Sequence, residues 1–147
     1  VKQILITTFC TLLYSAGFCQ SITGSWKRVS TTLEYTDGKK EDLQKTMEKG
    51  LPCTAGTTYI FKANGTHYTQ SPAGCEIVDK MSKAVWKLEG NRLTVTTSTD
   101  KKLNTGGTVY TLSFRANTVT MVHVYTEAEN KETNTRVKKI TIVYQRV

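Results

Sequence analysis

"TYIFKANGTHYT", residues 58–69, is the stretch whose reading decides the fold. Two alternating runs flank Ala63-Asn64-Gly65, and Asn-Gly between alternating runs is a strong sign of a β-hairpin. With Gly65 in the left-handed position of a three-residue loop, Lys62 faces Thr66. The same register continued outward sets Cys53 opposite Cys75. The two cysteines therefore lie across the open end of one hairpin, where the separation suits a disulfide. Pro72 and Gly74 end regular pairing before Cys75, so the bridge staples loops rather than strands. Closing such a loop contributes roughly 3 kcal/mol on the chain-entropy model. A reactive thiol pair or a metal site would want His or further Cys nearby, and the sequence around them has neither. Asn64-Gly65-Thr66 also matches a glycosylation sequon, but in a tight hairpin turn geometry explains the pair better.

Two more hairpins follow. In "AVWKLEGNRLTVTTS", residues 84–98, a Gly90-Asn91 turn sets Leu88 opposite Leu93 and Trp86 opposite Val95. In "TVYTLSFRANTVTMVHVY", residues 108–125, a four-residue loop sets Phe114 opposite Val119, Leu112 opposite Met121 and Tyr110 opposite His123. All three registers give apolar faces, which a slip of one residue would scramble. Before them, a strand from Ser25 to Tyr35 ends at an Asp37-Gly38 turn. In "KEDLQKTMEKGLP", residues 40–52, the period changes: Leu43 and Met47 are four apart, and Gly50 with Pro52 ends the run. That predicts a helix over 41–49, the one helix expected in the domain. The last strand, "VKKITIVYQRV", is reached through the polar loop 126–135. The sum is an all-β fold of eight antiparallel strands in meander order, with one short helix between strands 1 and 2. Such a set closes into an up-and-down barrel, which removes exposed edges; a two-sheet sandwich is the main competitor.

The chain of 147 residues, 38% hydrophobic, has room for one domain with a modest core. Residues 1–19 carry one Lys, an apolar centre and small residues near their end, the layout of a secretory signal peptide. Cleavage after Cys19 would leave a barrel domain over 20–147, secreted or periplasmic; a lipid anchor on Cys19 is the rival, weakened by Phe18 in front of it. An oxidising compartment then favours the Cys53–Cys75 pair. Removing residues 1–19 takes only Lys2 from the charged residues, so the net charge falls from +8 to +7. The remaining basic residues are scattered, so no nucleic-acid groove is expected. No integral membrane span is expected after the leader.

The opening strand, "ITGSWKRVS" at 22–30, carries Gly24-x-Trp26. That pattern at the head of an eight-stranded meander resembles the calycins, the lipocalins and fatty-acid-binding proteins. The nearer resemblance is to small secreted lipocalin-like domains of Gram-negative bacteria. These share a leader, the "ITGSWKRVS" opening, the "C…TYIFKANGTHY…C" unit and "VWKLEGNRLTVTT", over about Ile22 to Val147. The resemblance implies that Trp26 lies inside near one closed end, with a basic residue of the last strand packed over it. Arg146 fits that place, since Ile140, Ile142, Tyr144 and Arg146 share one face of the final strand. The resemblance implies a calyx and names no ligand. Residues 36–52 are longer and more helical than it leads one to expect.

Enzyme signatures are absent: no nucleophile elbow, no phosphate-binding glycine loop, no His pair at ligand spacing. No metal site or cofactor is expected. His123 has two readings, a buried neutral His satisfied by a neighbour or a ligand contact, and His67 is not placed by pattern. If alternation from Trp26 continues, Arg28 and Ser30 point inward, and Arg28 then needs Glu34, a ligand carboxylate or water as partner. A bulge after Trp26 would instead turn Arg28 to solvent. Candidate pocket residues are Arg28, Tyr59, Phe61, Trp86, Tyr110, Met121 and His123, with Gly24, Trp26 and Arg146 closing the far end. The expected function is non-enzymatic binding of a small apolar or amphipathic molecule, in a cavity lined partly by Trp86, Met121 and His123 beneath the helix. The alternative is a protein-interaction module with a filled barrel, recognising its partner through loop 126–135 or the helix over 41–49.

Overall fold

The first strand, β1 (Gly24–Tyr35), is the seam of the sheet. A computed structural model describes residues 21–97 and 106–147; the leader expected over 1–19 lies outside the described residues. The remaining strands are β2 (Lys40–Asp42), β3 (Thr58–Phe61), β4 (Thr66–Gln70), β5 (Ala84–Glu89), β6 (Arg92–Thr97), β7 (Thr108–Arg115), β8 (Thr118–Val124) and β9 (Val137–Arg146). Strands β3 to β9 pair antiparallel in chain order, and β9 returns to β1. With β1 this closes a ring of eight, the meander barrel that the alternation predicts. The short β2 is an addition: it folds back on the end of β1 after the Asp37-Gly38 turn, pairing Leu33 with Glu41.

All three hairpins have the registers read from the sequence. Tyr59 pairs with Thr69, Trp86 with Val95, and Leu112 with Met121. Gly65 has φ +81° and closes the first turn, while Asn64 Oδ1 accepts from the backbone N–H and hydroxyl of Thr66. The third turn is tighter than a four-residue loop. Arg115 pairs with Thr118, leaving Ala116 and Asn117 at the tip, and Ala116 takes φ +50°.

Helix content exceeds the single helix expected. Helix α1 (Leu43–Gly50) is capped by Asp42, which accepts from the Lys45 N–H; it leads into a 3₁₀ turn, Pro52–Gly56. Helix α2 (Glu76–Met81) follows Cys75, and α3 (Glu127–Thr133) occupies most of the polar segment 126–135, which is therefore not a loop. A capping box starts α3: Thr126 Oγ1 accepts from the Glu129 N–H, and the Glu129 carboxylate accepts from the Thr126 N–H. All three helices follow an upward strand and precede a downward one, and so lie at the same end of the barrel. The opposite end holds the tight hairpin turns.

That opposite end is closed by Trp26, which is 1% exposed. Its indole N–H donates to the Ile22 carbonyl at 2.7 Å, and Ile22 is itself fully buried. Trp26 and Arg146 are direct register partners across the β1–β9 seam. The Arg146 guanidinium carbon lies 4.3 Å from the indole centroid, while its two terminal nitrogens donate to the carbonyls of Thr23 and Ser21. Gly24 makes the stacking possible. It has φ +132°, and a Cβ there would stand 2.6 Å from Arg146 Nη1. Above Trp26 the interior is filled by Phe61, Leu93, Leu112, Val119, Met121, Ile142 and Tyr144.

Truncating this plug should be costly. Trp26→Ala is expected to lose roughly 3–5 kcal/mol of unfolding free energy, as other large core truncations do. Gly24→Ala should also destabilise, by displacing Arg146 from the indole. Urea denaturation followed by far-UV circular dichroism measures both; a Trp26→Ala midpoint equal to wild type would show that the closed end does not hold the barrel together.

Candidate functional site at the barrel mouth

Two interruptions of the sheet shape the open end. On one edge of β1, pairing with β3 stops at Lys27 and pairing with β2 begins at Thr32, so the stretch between has no strand neighbour on that side. Helix α1 and the 3₁₀ turn pack there. Gln44, the buried residue of α1, faces Thr31, whose hydroxyl donates to its carbonyl oxygen; Lys27 Nζ reaches the Gly56 carbonyl. The expected apolar contacts of the helix, Leu43 and Met47, are only half-buried. The second interruption lies between β4 and β5, which share only the pairs Thr66–Val85 and His67–Ala84. Helix α2 fills it. Its Asp79 carboxylate accepts from the Thr69 hydroxyl and the Ser71 N–H.

The disulfide spans these two insertions. Cys53 sits in the 3₁₀ turn and Cys75 directly precedes α2, with Cα atoms 5.9 Å apart. It thus ties the two walls of the mouth together across the open end of the β3–β4 hairpin, as the register argument places it. Between the walls lies a cleft of about 250 Å³. Met47, Leu51 and Thr54 line one side, Val78, Met81 and Ser82 the other, with Tyr59 and Arg28 also in its lining. Leu51 and Met81 are 52% and 76% exposed, so the rim is apolar and open to solvent.

Arg28 points into the barrel. The bulge on β1 falls at Val29, after Arg28 rather than after Trp26. Arg28 therefore keeps the inward parity of Trp26, and Val29 is turned out, 49% exposed. The bulge reverses the parity beyond it: Thr31 is 2% exposed and inward, so Ser30 is not. The Arg28 guanidinium carbon stands 5.3 Å from the Tyr59 ring centroid, and Tyr144 is its register partner on β9. Burial raises the pKa of both phenols, and the positive charge of Arg28 only partly offsets this. Both therefore stay neutral at physiological pH. Arg28 Nε and Nη2 are shut off from solvent, and no hydrogen-bond acceptor meets either.

The other candidates have different surroundings. Phe61 and Met121 are core residues, 2% and 3% exposed, and Trp86 packs beside them with its N–H donating to the Thr66 carbonyl. Tyr110 and His123 meet as rings 5.8 Å apart. His123 Nδ1 lies 2.8 Å from the Val109 carbonyl, and its Nε2 lies 3.0 Å from the Glu129 carboxylate, which links α3 to the barrel. A second, wider groove of about 400 Å³ runs there, along the outward-facing Val109, Thr111, Val122 and Val124. Both ring nitrogens of His123 thus face acceptors of the protein itself. His67 lies against Phe61, 4.4 Å between ring centroids, with Nδ1 near the Ser82 carbonyl. Burial lowers its pKa despite that contact, so it is neutral at pH 7. Although Ser82, Asp79 and His67 are neighbours, His67 meets the Ser82 backbone and not its hydroxyl; the group braces α2. Leu51, Val78 and Met81 were not among the residues singled out by pattern, and Met47 was singled out as an apolar contact of the helix rather than as a cleft residue.

Among the described residues no group of three or more His, Cys, Asp or Glu is placed to hold a metal ion, and no helix is long and apolar enough to cross a membrane. No family model matches the chain, and no curated protein does. Among solved structures, a DUF4847 family protein from Bacteroides vulgatus is similar, at 14% identity and a TM-score of 0.47, over 85% of this chain and 93% of that one.

The crosslink between the cleft walls has a measurable consequence. Reduction with a phosphine should lower stability by about 3 kcal/mol on the chain-entropy estimate without unfolding the barrel. Amide hydrogen exchange should quicken in Pro52–Gly56 and Glu76–Met81 and stay slow in β6 to β9. An exchange pattern unchanged by reduction would show that the disulfide does not hold the mouth.

Proposed function

We propose that this protein is an exported, non-enzymatic binding protein of lipocalin-like type that carries a small apolar or amphipathic molecule. The observation that carries the reading is the apolar-walled cleft of about 250 Å³ at the open end, crosslinked across its two walls. Pockets for drug-sized ligands run from about 300 Å³ upward, so the occupant is smaller than that or leaves part of itself in solvent. The ligand sits at the mouth between α1 and α2, above a packed interior, rather than deep among Trp86, Met121 and His123. The Cys53–Cys75 bond supports export to an oxidising compartment. The wider groove along β7 and β8 is the weaker choice for an apolar guest, since Arg92, Thr126 and Glu129 share its lining.

One observation favours a second reading. The packed barrel interior and the exposed Leu51, Ile77 and Met81 also suit a protein-interaction module using the α1–α2 rim.

Titration with the neutral apolar probe N-phenyl-1-naphthylamine separates the two. Binding tighter than about 100 μM, near −5.5 kcal/mol, is expected in wild type. Met47→Trp, which fills the cleft, should abolish it, and Met121→Leu, a near-isosteric core change, should leave it intact. If wild type fails to bind the probe at that level, the mouth is a protein-contact surface and the carrier reading is wrong.

A further inference from the structure

We infer that the molecule held at the mouth is a monocarboxylate, its head group gripped side-on by Arg28; this deepens the carrier reading and rests on it. Nε–H and Nη2–H lie on one edge of a guanidinium and point the same way, spaced to match the two oxygens of a single carboxylate. In Arg28 these are the two donors that no acceptor meets. The fold itself accounts for the inward parity of Arg28, which alternates with Trp26 ahead of the bulge at Val29, and for its flat face, which lies by the ring of Tyr59. Glu34, the carboxylate nearest along the strand, is ion-paired with Lys138 and Lys139 instead. No acidic side chain among the described residues forms an ion pair with Arg28.

A guanidinium buried without a counter-charge is expensive to keep. Its position makes sense as one half of a pair completed from outside. Arg28 belongs to the same cleft whose walls are Met47, Leu51, Val78 and Met81. Since the two nitrogens are shut off from solvent, a carboxylate reaches Arg28 as the mouth parts, with its tail against apolar side chains and leading out past an open rim. The surroundings strengthen the grip: Tyr59 and Tyr144 stay neutral and screen the charge less than water would. Among the described residues lining the cleft Arg28 is the only cation, which selects one carboxylate over a doubly charged phosphate monoester.

The test uses two probes with one tail, decanoate and decanol, each displacing N-phenyl-1-naphthylamine from the wild-type protein. Decanoate should bind roughly ten- to a hundredfold more tightly than decanol, the range of a charge-assisted hydrogen-bonded pair. In Arg28→Met the two should become equal while decanol is unchanged, and the melting temperature should hold or rise, because an uncompensated buried charge has gone. Arg28→Lys, which keeps the charge but not the fork, should recover only part of the preference. Equal binding of the two probes to wild type, or a preference that survives in Arg28→Met, would overturn the head-group assignment while leaving the carrier reading in place. Failure of both probes and of the naphthylamine would overturn both. Decyl phosphate bound more tightly than decanoate would overturn the choice of head group.

Discussion

The stack of Arg146 on Trp26 joins the first strand to the last, and the polarity of the whole barrel follows from it. A meander of eight strands closes only if its ends meet, and here they meet as direct register partners. The contact is worth roughly 0.5–2 kcal/mol as a cation–π pair, but its larger effect is geometric. It lets a flat guanidinium, anchored on the Ser21 and Thr23 carbonyls, cover the indole where a bulky apolar side chain would otherwise be needed. Gly24 is part of the same device, since any side chain there would collide with Arg146. One end is sealed in this way, with tight hairpin turns gathered around it, and the helical insertions and the cleft between them lie at the other.

The open end is built from what the sheet lacks. Strands β3 and β4 have four and five residues against twelve in β1, so the wall they form stops short. Helices α1 and α2 and the 3₁₀ turn fill the gap that results, held by side chains more than by sheet hydrogen bonds: Gln44 on Thr31, Asp79 on Thr69 and Ser71, and the Cys53–Cys75 bond. Short elements with few buried apolar residues lie at the low end of local stability. A mouth of this kind can part around a guest without disturbing the core beneath it. The bulge at Val29 completes the arrangement by keeping Arg28 inward while returning Thr31 to the core.

The hairpins were legible in the sequence because two independent signals agreed, the turn chemistry and the apolar alternation. The cysteine positions then followed from the register alone. The added helices were harder to see. In α2, Ile77 and Met81 have helical spacing but face outward, so no apolar stripe marks a buried side. In α3 the Thr126-x-x-Glu129 capping box was present, but the segment is so polar that its loop-like composition outweighed it. Site residues were legible only by parity. Alternation shows that Phe61, Met121 and His123 point inward; it does not show whether inward side chains meet a cavity or one another, and here Phe61 and Met121 pack into the core. The bulge carries no glycine or proline at Val29 to announce it, and so the direction of Arg28 was open. The cleft walls from α2 went unnoticed because the helix itself did.

The chain has three methionines, and they report on the central claim separately. Met47 and Met81 stand on opposite walls of the mouth cleft, and Met121 is buried in the barrel core. Carbon-13 labelling of the methionine methyl groups therefore yields three resonances, one for each wall and one for the interior. Titration with decanoate should shift the Met47 and Met81 signals together, at one common affinity, and leave Met121 in place. A titration that moves Met121 while the other two stay fixed would place the ligand deep in the barrel and contradict a site at the mouth.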